Sequence, residues 1–202
     1  MSRESIFSKI RTALEPLAEK TSHPGFDDES ITSSSRLQGS LREAFQRNLE
    51  AVHGRILNTP DTLASFLREN DCLHGYCDPD LMDPLGHALS AVGLIVETEY
   101  DRQRYEDYRF GITQATGAIA ESGTIILDDT LTRDRLAALS PWVHIAVFPE
   151  SSLHRSLSDA LTHLGPSHNV IWVTGPSKTA DVEGILIEGV HGPGEQIAYL
   201  TP

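Results

Sequence analysis

The sequence predicts an α/β domain built on a mostly parallel sheet flanked by helices, with an N-terminal helical extension, and three observations carry that prediction. Short apolar, β-branched runs alternate with segments of helical period. Capping residues and glycines stand at the joints between them. The chain, at 202 residues, suits one sizeable core better than two. We therefore expect residues 1–36 to form a helix and flexible linker and residues 37–202 to form the main domain.

Ile6, Ile10, Leu14 and Leu17 recur at helical spacing, so an amphipathic helix is expected from residue 3 to about 15, loosened near Pro16. Thr21 to Arg36, rich in Ser, Asp, Gly and Pro, reads as a linker. Ser40-Leu41-Arg42-Glu43 has the form of a capping box, and Leu41, Phe45 and Leu49 follow on one face. A strand over Val52 to Leu57 precedes a helix with Thr59 as N-cap and Pro60 at its first position. The alternation continues with a strand near Cys72 to Tyr76, a helix opened by Asp83-Pro84 and closed at Gly93, and a strand over Leu94 to Glu97.

Tyr100 to Phe110 mixes charge with three tyrosines and no clean period. It is either a solvated excursion or a lid from which Arg102, Arg104 or Arg109 reaches an anion. In Gly111 to Leu127, two apolar runs flank Glu121-Ser122-Gly123, where glycine permits a turn, so a carboxylate stands at a strand end. A hairpin with a solvent-facing glutamate fits the same residues. Thr132 is expected to cap a short helix through Leu139, and Val143 to Phe148 to form a strand. Ser151 or Ser152 should open a helix that carries Leu153, Leu157, Leu161 and Leu164 and ends at Gly165. Gln196 to Leu200 reads as an edge strand, and functional loops are expected at the carboxyl ends of the strands.

The formal net charge of -13 opposes binding to nucleic-acid backbones or anionic membrane surfaces. No apolar stretch approaches the ~20 residues of a membrane span, and the first residues lack a secretion-signal core, so a cytoplasmic location is expected. Cys72 and Cys77 are the two cysteines, too few for a four-ligand metal site or a four-thiolate cluster. The nine histidines show no ligand spacing, so no metal site is expected, and His144 on its apolar strand reads as a hydrogen-bonded structural residue.

The most informative stretch is Val170 to Pro193, a buried strand feeding a loop. It offers the hydroxyls of Ser177 and Thr179, the Lys178 ammonium, the carboxylates of Asp181 and Glu183, and His191 between glycine and proline. From Ser156 to Pro202, Lys178 is the one basic Lys or Arg among five acidic residues, and an anionic ligand is its natural counterpart. Gly175-Pro176-Ser177-Lys178-Thr179 ends like a phosphate-cradling P-loop but has Ser177 where that loop needs glycine. Asp181 fits equally well as the N-cap of a short helix, and His191-Gly192-Pro193 as a rigid turn.

Taken in order, GITQATGAIAESGTIIL (Gly111–Leu127), SPWVHIAVFPE (Ser140–Glu150) and TGPSKTADVEGILIEGVHGP (Thr174–Pro193) closely resemble the lactate-utilisation protein C family, the LUD domain. The resemblance covers about residues 90–202 specifically. It implies a fold like that of the superfamily of glucosamine-phosphate isomerase, ribose-phosphate isomerase and CoA-transferases. It also implies a part in oxidising L-lactate to pyruvate together with two partner proteins, at least one carrying iron–sulfur clusters. Since this chain cannot ligate such a cluster alone, it is expected to be a non-redox component, its own cofactor undetermined.

The leading expectation is a small-anion site built from Glu121, Ser122, Gly123, Thr124, Ser177, Lys178, Thr179, Asp181 and His191, with Lys178 on the carboxylate or phosphate. Asp181, Glu183 and His191 would fix Lys178 or exchange protons. A second expectation is a stand-alone acyl or CoA transferase. Glu121-Ser122-Gly123 looks like the Glu-x-Gly element whose glutamate is the nucleophile in that superfamily, although no glycine-rich oxyanion loop accompanies it. A third is a scaffold with a vestigial pocket.

Overall fold

The computed structural model describes residues 2–15, 36–165, 169–180 and 185–202. Apart from Arg36, the expected linker lies outside the described residues. The chain divides into two compact units, Met1–Ile31 and Thr32–Pro202. In the first, helix α1 (Arg3–Leu14) starts at Ser2, whose hydroxyl accepts the Ser5 amide at 3.3 Å. None of its residues is buried.

The second unit follows the expected alternation. Helix α2 (Leu41–Ala51) opens with a complete capping box: the Glu43 amide donates to the Ser40 hydroxyl, and the Ser40 amide donates to the Glu43 carboxylate at 2.8 Å. Then come β1 (Arg55–Ile56), α3 (Pro60–Glu69, capped by Thr59), β2 (His74–Cys77), α4 (His87–Ala91) and β3 (Ile95–Glu97). The helix expected from Asp83-Pro84 begins as a π-turn over Met82–Gly86, and regular geometry starts at His87. Next are β4 (Phe110–Gln114), β5 (Gly117–Ile119), β6 (Thr124–Asp128), β7 (Val143–Pro149), β8 (Leu153–His154) and α5 (Leu157–His163). Strands β9 (Val170–Val173), β10 (Lys178–Ala180), β11 (Leu186–Glu188) and β12 (Glu195–Thr201) complete the unit.

Six of these strands form a parallel sheet in the order β1-β12-β7-β4-β2-β3. A smaller sheet runs β8-β5-β6-β9, and β10 pairs with β11 as a hairpin. Period-two alternation divides the parallel sheet cleanly. Ile112, Ile145, Val147, Ile197 and Tyr199 face one side, packed with Leu63 and Leu67 of α3 and Leu89 of α4. Ala146, Phe148, Ala198 and Leu200 face the other, packed with Phe45 and Leu49 of α2 and with Ala118 and Ile125 of the smaller sheet. Ala146 and Ala198 leave room on that second face for the helix and the smaller sheet that both pack there.

Three local expectations are corrected. Thr132 does not cap a helix; its hydroxyl donates to the Gln114 carbonyl at 2.8 Å, and Asp134 caps a short 3₁₀ turn over Arg135–Ala138. Ser156, not Ser151 or Ser152, caps the later helix, because Leu153 is committed to β8 beside β5. The leucine stripe is consequently not buried: Leu157 and Leu161 are exposed. Finally, β12 is an interior strand between β1 and β7, where seven residues pair with β7.

Candidate functional site

The second face of the parallel sheet is not covered throughout. Beside the smaller sheet lies a cleft of about 900 Å³, bounded by Leu127 of β6, Ile171 to Val173 of β9, and the loop Thr174 to Ser177. The crossover from Arg133 to Leu139 and the turn His191 to Pro193 close its other sides, and Gln196 reaches it from β12. Ala138 and Leu139 lead into β7, and His191 to Pro193 lead into β12. The cleft therefore sits toward the amino ends of these strands, and not at the carboxyl ends where the loops were expected to carry function.

Its charge is distinctive in so acidic a chain. Arg102, Arg133, Arg135 and Asp134 line it, three guanidinium groups against one carboxylate. Two of the three are held firmly: Arg133 pairs with Asp80 at 2.6 Å, and Arg135 with Asp129 at 3.1 Å. Arg102 is the least committed, 4.0 Å from Asp134 and largely exposed. The tyrosine-rich segment that carries it is well anchored. Tyr100 stacks on Tyr108 with ring centroids 4.7 Å apart and hydrogen-bonds Ser140. The Tyr108 hydroxyl donates to Glu97 at 2.9 Å. Arg104 is absorbed by Glu97 and Asp101, and Arg109 borders a separate hollow with Ser140 and Trp142. Of the three arginines considered for an anion, Arg102 is thus the one at the cleft.

Two expected site residues meet here. The Ser177 amide donates to the Pro193 carbonyl at 2.8 Å, and a Cβ at Gly192 would stand 3.1 Å from that of Ser177, so the loops bearing Ser177 and His191 are held together at the cleft wall. Ser122 and Thr124 reach its rim through hydroxyls: Ser122 to Thr124 at 2.7 Å, then Thr124 to Thr174, a lining residue, at 2.8 Å.

The remaining expected residues that are described lie elsewhere. The Lys178 ammonium donates to the Val52 carbonyl at 3.0 Å, capping the carboxyl end of α2, and stands 3.4 Å from Glu188. Glu188 also pairs with His53 at 2.6 Å; the His53 hydrogen bond and then Lys178 hold its carboxyl below the usual range. Thr179 is half-buried in β10 opposite Ile187. Glu121 is half-buried in the β5–β6 turn, its amide donating to the Arg155 carbonyl at 3.2 Å. Gly123, at φ +66°, seats that turn on α2: a Cβ there would fall 2.4 Å from the Leu49 amide nitrogen. Gly175 does the same one helical turn later, against the Val52 carbonyl. Asp181 and Glu183 lie outside the described residues.

Beneath the cleft, His144 is fully buried and links two strands. Its Nδ1 is 2.9 Å from the side-chain amide oxygen Oε1 of Gln196 and its Nε2 is 2.9 Å from the Thr113 hydroxyl. With the Gln196 oxygen accepting, Nδ1 carries the proton and Nε2 accepts from Thr113. Burial pushes its pKa down to about 4, so the imidazole is neutral at pH 7. The structural reading of His144 agrees with this, while Gln196, Thr174, Arg133 and Arg135 had no signal of their own. Cys72 and Cys77 are both fully buried in the first face's core; burial raises both thiols, Cys77 to about 12, which disfavours the thiolate that a metal would need.

The chain is 35% identical over 107 residues to lactate utilization protein C of Bacillus licheniformis, covering 49% of this chain and 44% of that protein. Against lactate utilization protein C of Bacillus subtilis it is 33% identical over 103 residues, covering 47% and 43%. The matched region thus spans under half the length of either relative. A solved DUF162 family protein from Deinococcus radiodurans superposes with a TM-score of 0.60 at 18% identity, covering 84% of this chain and all of that one, and so shares the fold. The LUD domain family model matches residues 89–201, more than half of the chain and the whole wall and floor of the cleft, and the chain belongs to the LUD domain family.

Proposed function

We propose that this protein serves lactate utilisation as a non-redox component that binds a small carboxylate or phosphate in the arginine-lined cleft and works with iron–sulfur partner proteins. The observation that carries the reading is the meeting of Arg102, Ser177, Thr174 and His191 around one cleft in a chain of net charge -13. The names of the aligned relatives supply the metabolic context. A guanidinium with little competition from carboxylates provides charge-assisted hydrogen bonds to an anion, and the hydroxyls and His191 orient it. Arg133 and Arg135 are already paired with aspartates, so Arg102 is the guanidinium that meets the ligand. Lys178 and Gly123 act one step back, by holding the Ser177 loop and the Glu121 turn against α2.

Calorimetric titration with L-lactate, pyruvate, and phosphorylated and CoA-linked anions tests the binding step. Removing the Arg102 side chain is expected to weaken the preferred anion by roughly tenfold, the worth of one hydrogen bond to a charged group. Equal affinity in wild type and in an Arg102→Ala/Ser177→Ala double variant would sink the cleft as the site. Reconstituted lactate oxidation with iron–sulfur partners, with and without this chain, tests the role in the assembly.

A further inference from the structure

Away from the cleft, two imidazoles and a carboxylate converge beside α5. His154 enters from β8, while Asp159 and His163 are one turn apart on the helix. Their donor atoms all lie within 4.8 Å of one another. His154 Nδ1 is 4.0 Å from Asp159 Oδ2, His163 Nδ1 is 3.5 Å from Asp159 Oδ1, and the two rings sit 5.1 Å apart, tilted by 33°. We propose that His154, Asp159 and His163 form a binding site for one divalent ion of the zinc class.

The donor set and its support both favour that ion. Borderline metals take imidazole and carboxylate at about 2.0–2.2 Å, which sets neighbouring donors a little over 3 Å apart, so modest side-chain movement closes the set. His163 Nδ1 donates to the Asp159 backbone carbonyl at 2.9 Å, and the exposed ring is free to turn and exchange that bond for a metal. The carboxylate is held in place, since Asp159 Oδ2 accepts the Arg155 amide at 2.8 Å, leaving Oδ1 toward His163. His154 is held as well: a Cβ on Gly117 would lie 3.4 Å from its Nε2, so that edge packs on β5 and Nδ1 is turned to Asp159. Three protein donors with an exposed fourth position leave room for a water or an external ligand. The pattern is invisible along the chain because His154 belongs to a strand and the other two to the following helix.

The site also adjoins the Glu121 turn. The His154 carbonyl accepts the Ala120 amide at 2.8 Å, and the Arg155 carbonyl accepts that of Glu121. Its test is independent of the cleft. Chelator-treated full-length chain is titrated with zinc chloride by calorimetry, with the bound ion counted by elemental analysis after dialysis. One ion per chain is expected, with affinity falling at least roughly tenfold in His163→Ala and recovering in His163→Cys, which restores a ligand. Since His163 is exposed at the helix end, that substitution leaves folding intact, as circular dichroism will verify. A His53→Ala control is expected to bind as wild type. Binding unchanged in His163→Ala, or no zinc bound at micromolar concentration, overturns the proposal.

Discussion

The two faces of the parallel sheet are made from the same strands and do different work. On the first, Ile112, Ile145, Val147, Ile197 and Tyr199 form an unbroken apolar surface against α3 and α4. On the second, the alternate positions of β4, β7 and β12 begin with Gly111, Thr113, His144 and Gln196 and turn apolar only at Ala146, Phe148, Ala198 and Leu200. One end of that face thus packs α2, while the other is a buried polar layer from which Gln196 reaches the cleft. The comparison teaches that one residue's shift in register exchanges core for site, which is why register in a sheet covered on both sides is so strongly specified.

The largest expected effect should fall on the first face alone. Leu67→Ala, at a fully buried position, is expected to cost about 2–5 kcal/mol in denaturant unfolding while leaving anion affinity unchanged in the folded fraction. An affinity change there would erase the distinction between the faces.

The next effect belongs to His144 and to acid. Its native pKa of about 4 lies below the ordinary 6.5, so the unfolded chain binds the proton more readily. Its contribution to stability is complete above pH 6.5 and is lost as the pH falls toward 4, in all of order 3 kcal/mol. Unfolding free energies measured across that window should slope less in His144→Gln than in wild type. An identical slope would show that the buried polar layer is not what acid attacks.

A smaller loss is expected from Gly123→Ala, which forces a Cβ onto the backbone of α2 at positive φ: roughly 1–3 kcal/mol by thermal unfolding. The smallest change sharpens the division within the site itself. Lys178→Met removes a helix-end cation and should lower stability by about 0.3–1 kcal/mol, with anion affinity altered far less than by Arg102→Ala. The reverse ranking in paired titrations would return Lys178 to the ligand.

Much of the architecture was legible in the chain because its signals are local. Ser40 with Glu43, Thr59 with Pro60, and the alternation through Val143 to Phe148 each state an element within a few residues. Order within the sheet is not local, and β12 reads as an edge strand since period two marks its faces but not its neighbours. The site was half legible for the same reason. Ser177 and His191 announce themselves by loop chemistry, whereas Lys178 donates to a backbone carbonyl 126 residues away, and no side-chain pattern encodes that bond. Arg133 and Arg135 bracket Asp134 in a stretch with the look of an ordinary amphipathic turn. That they border a cleft follows only from the path of the crossover over Gly111, where the Ala137 carbonyl occupies the space a Cβ would need.

The place of β12 has a consequence for how the molecule is made. Arg55 and Ile56 find their sheet partners in Ile197 and Ala198, and β1 joins the rest of the sheet through that strand alone among the described residues. A ribosome delivers residue 55 long before residue 197, so the nascent chain must carry an unmated edge for most of its synthesis. Closure is therefore a late, long-range event, the kind that slows folding and gives chaperones their opportunity.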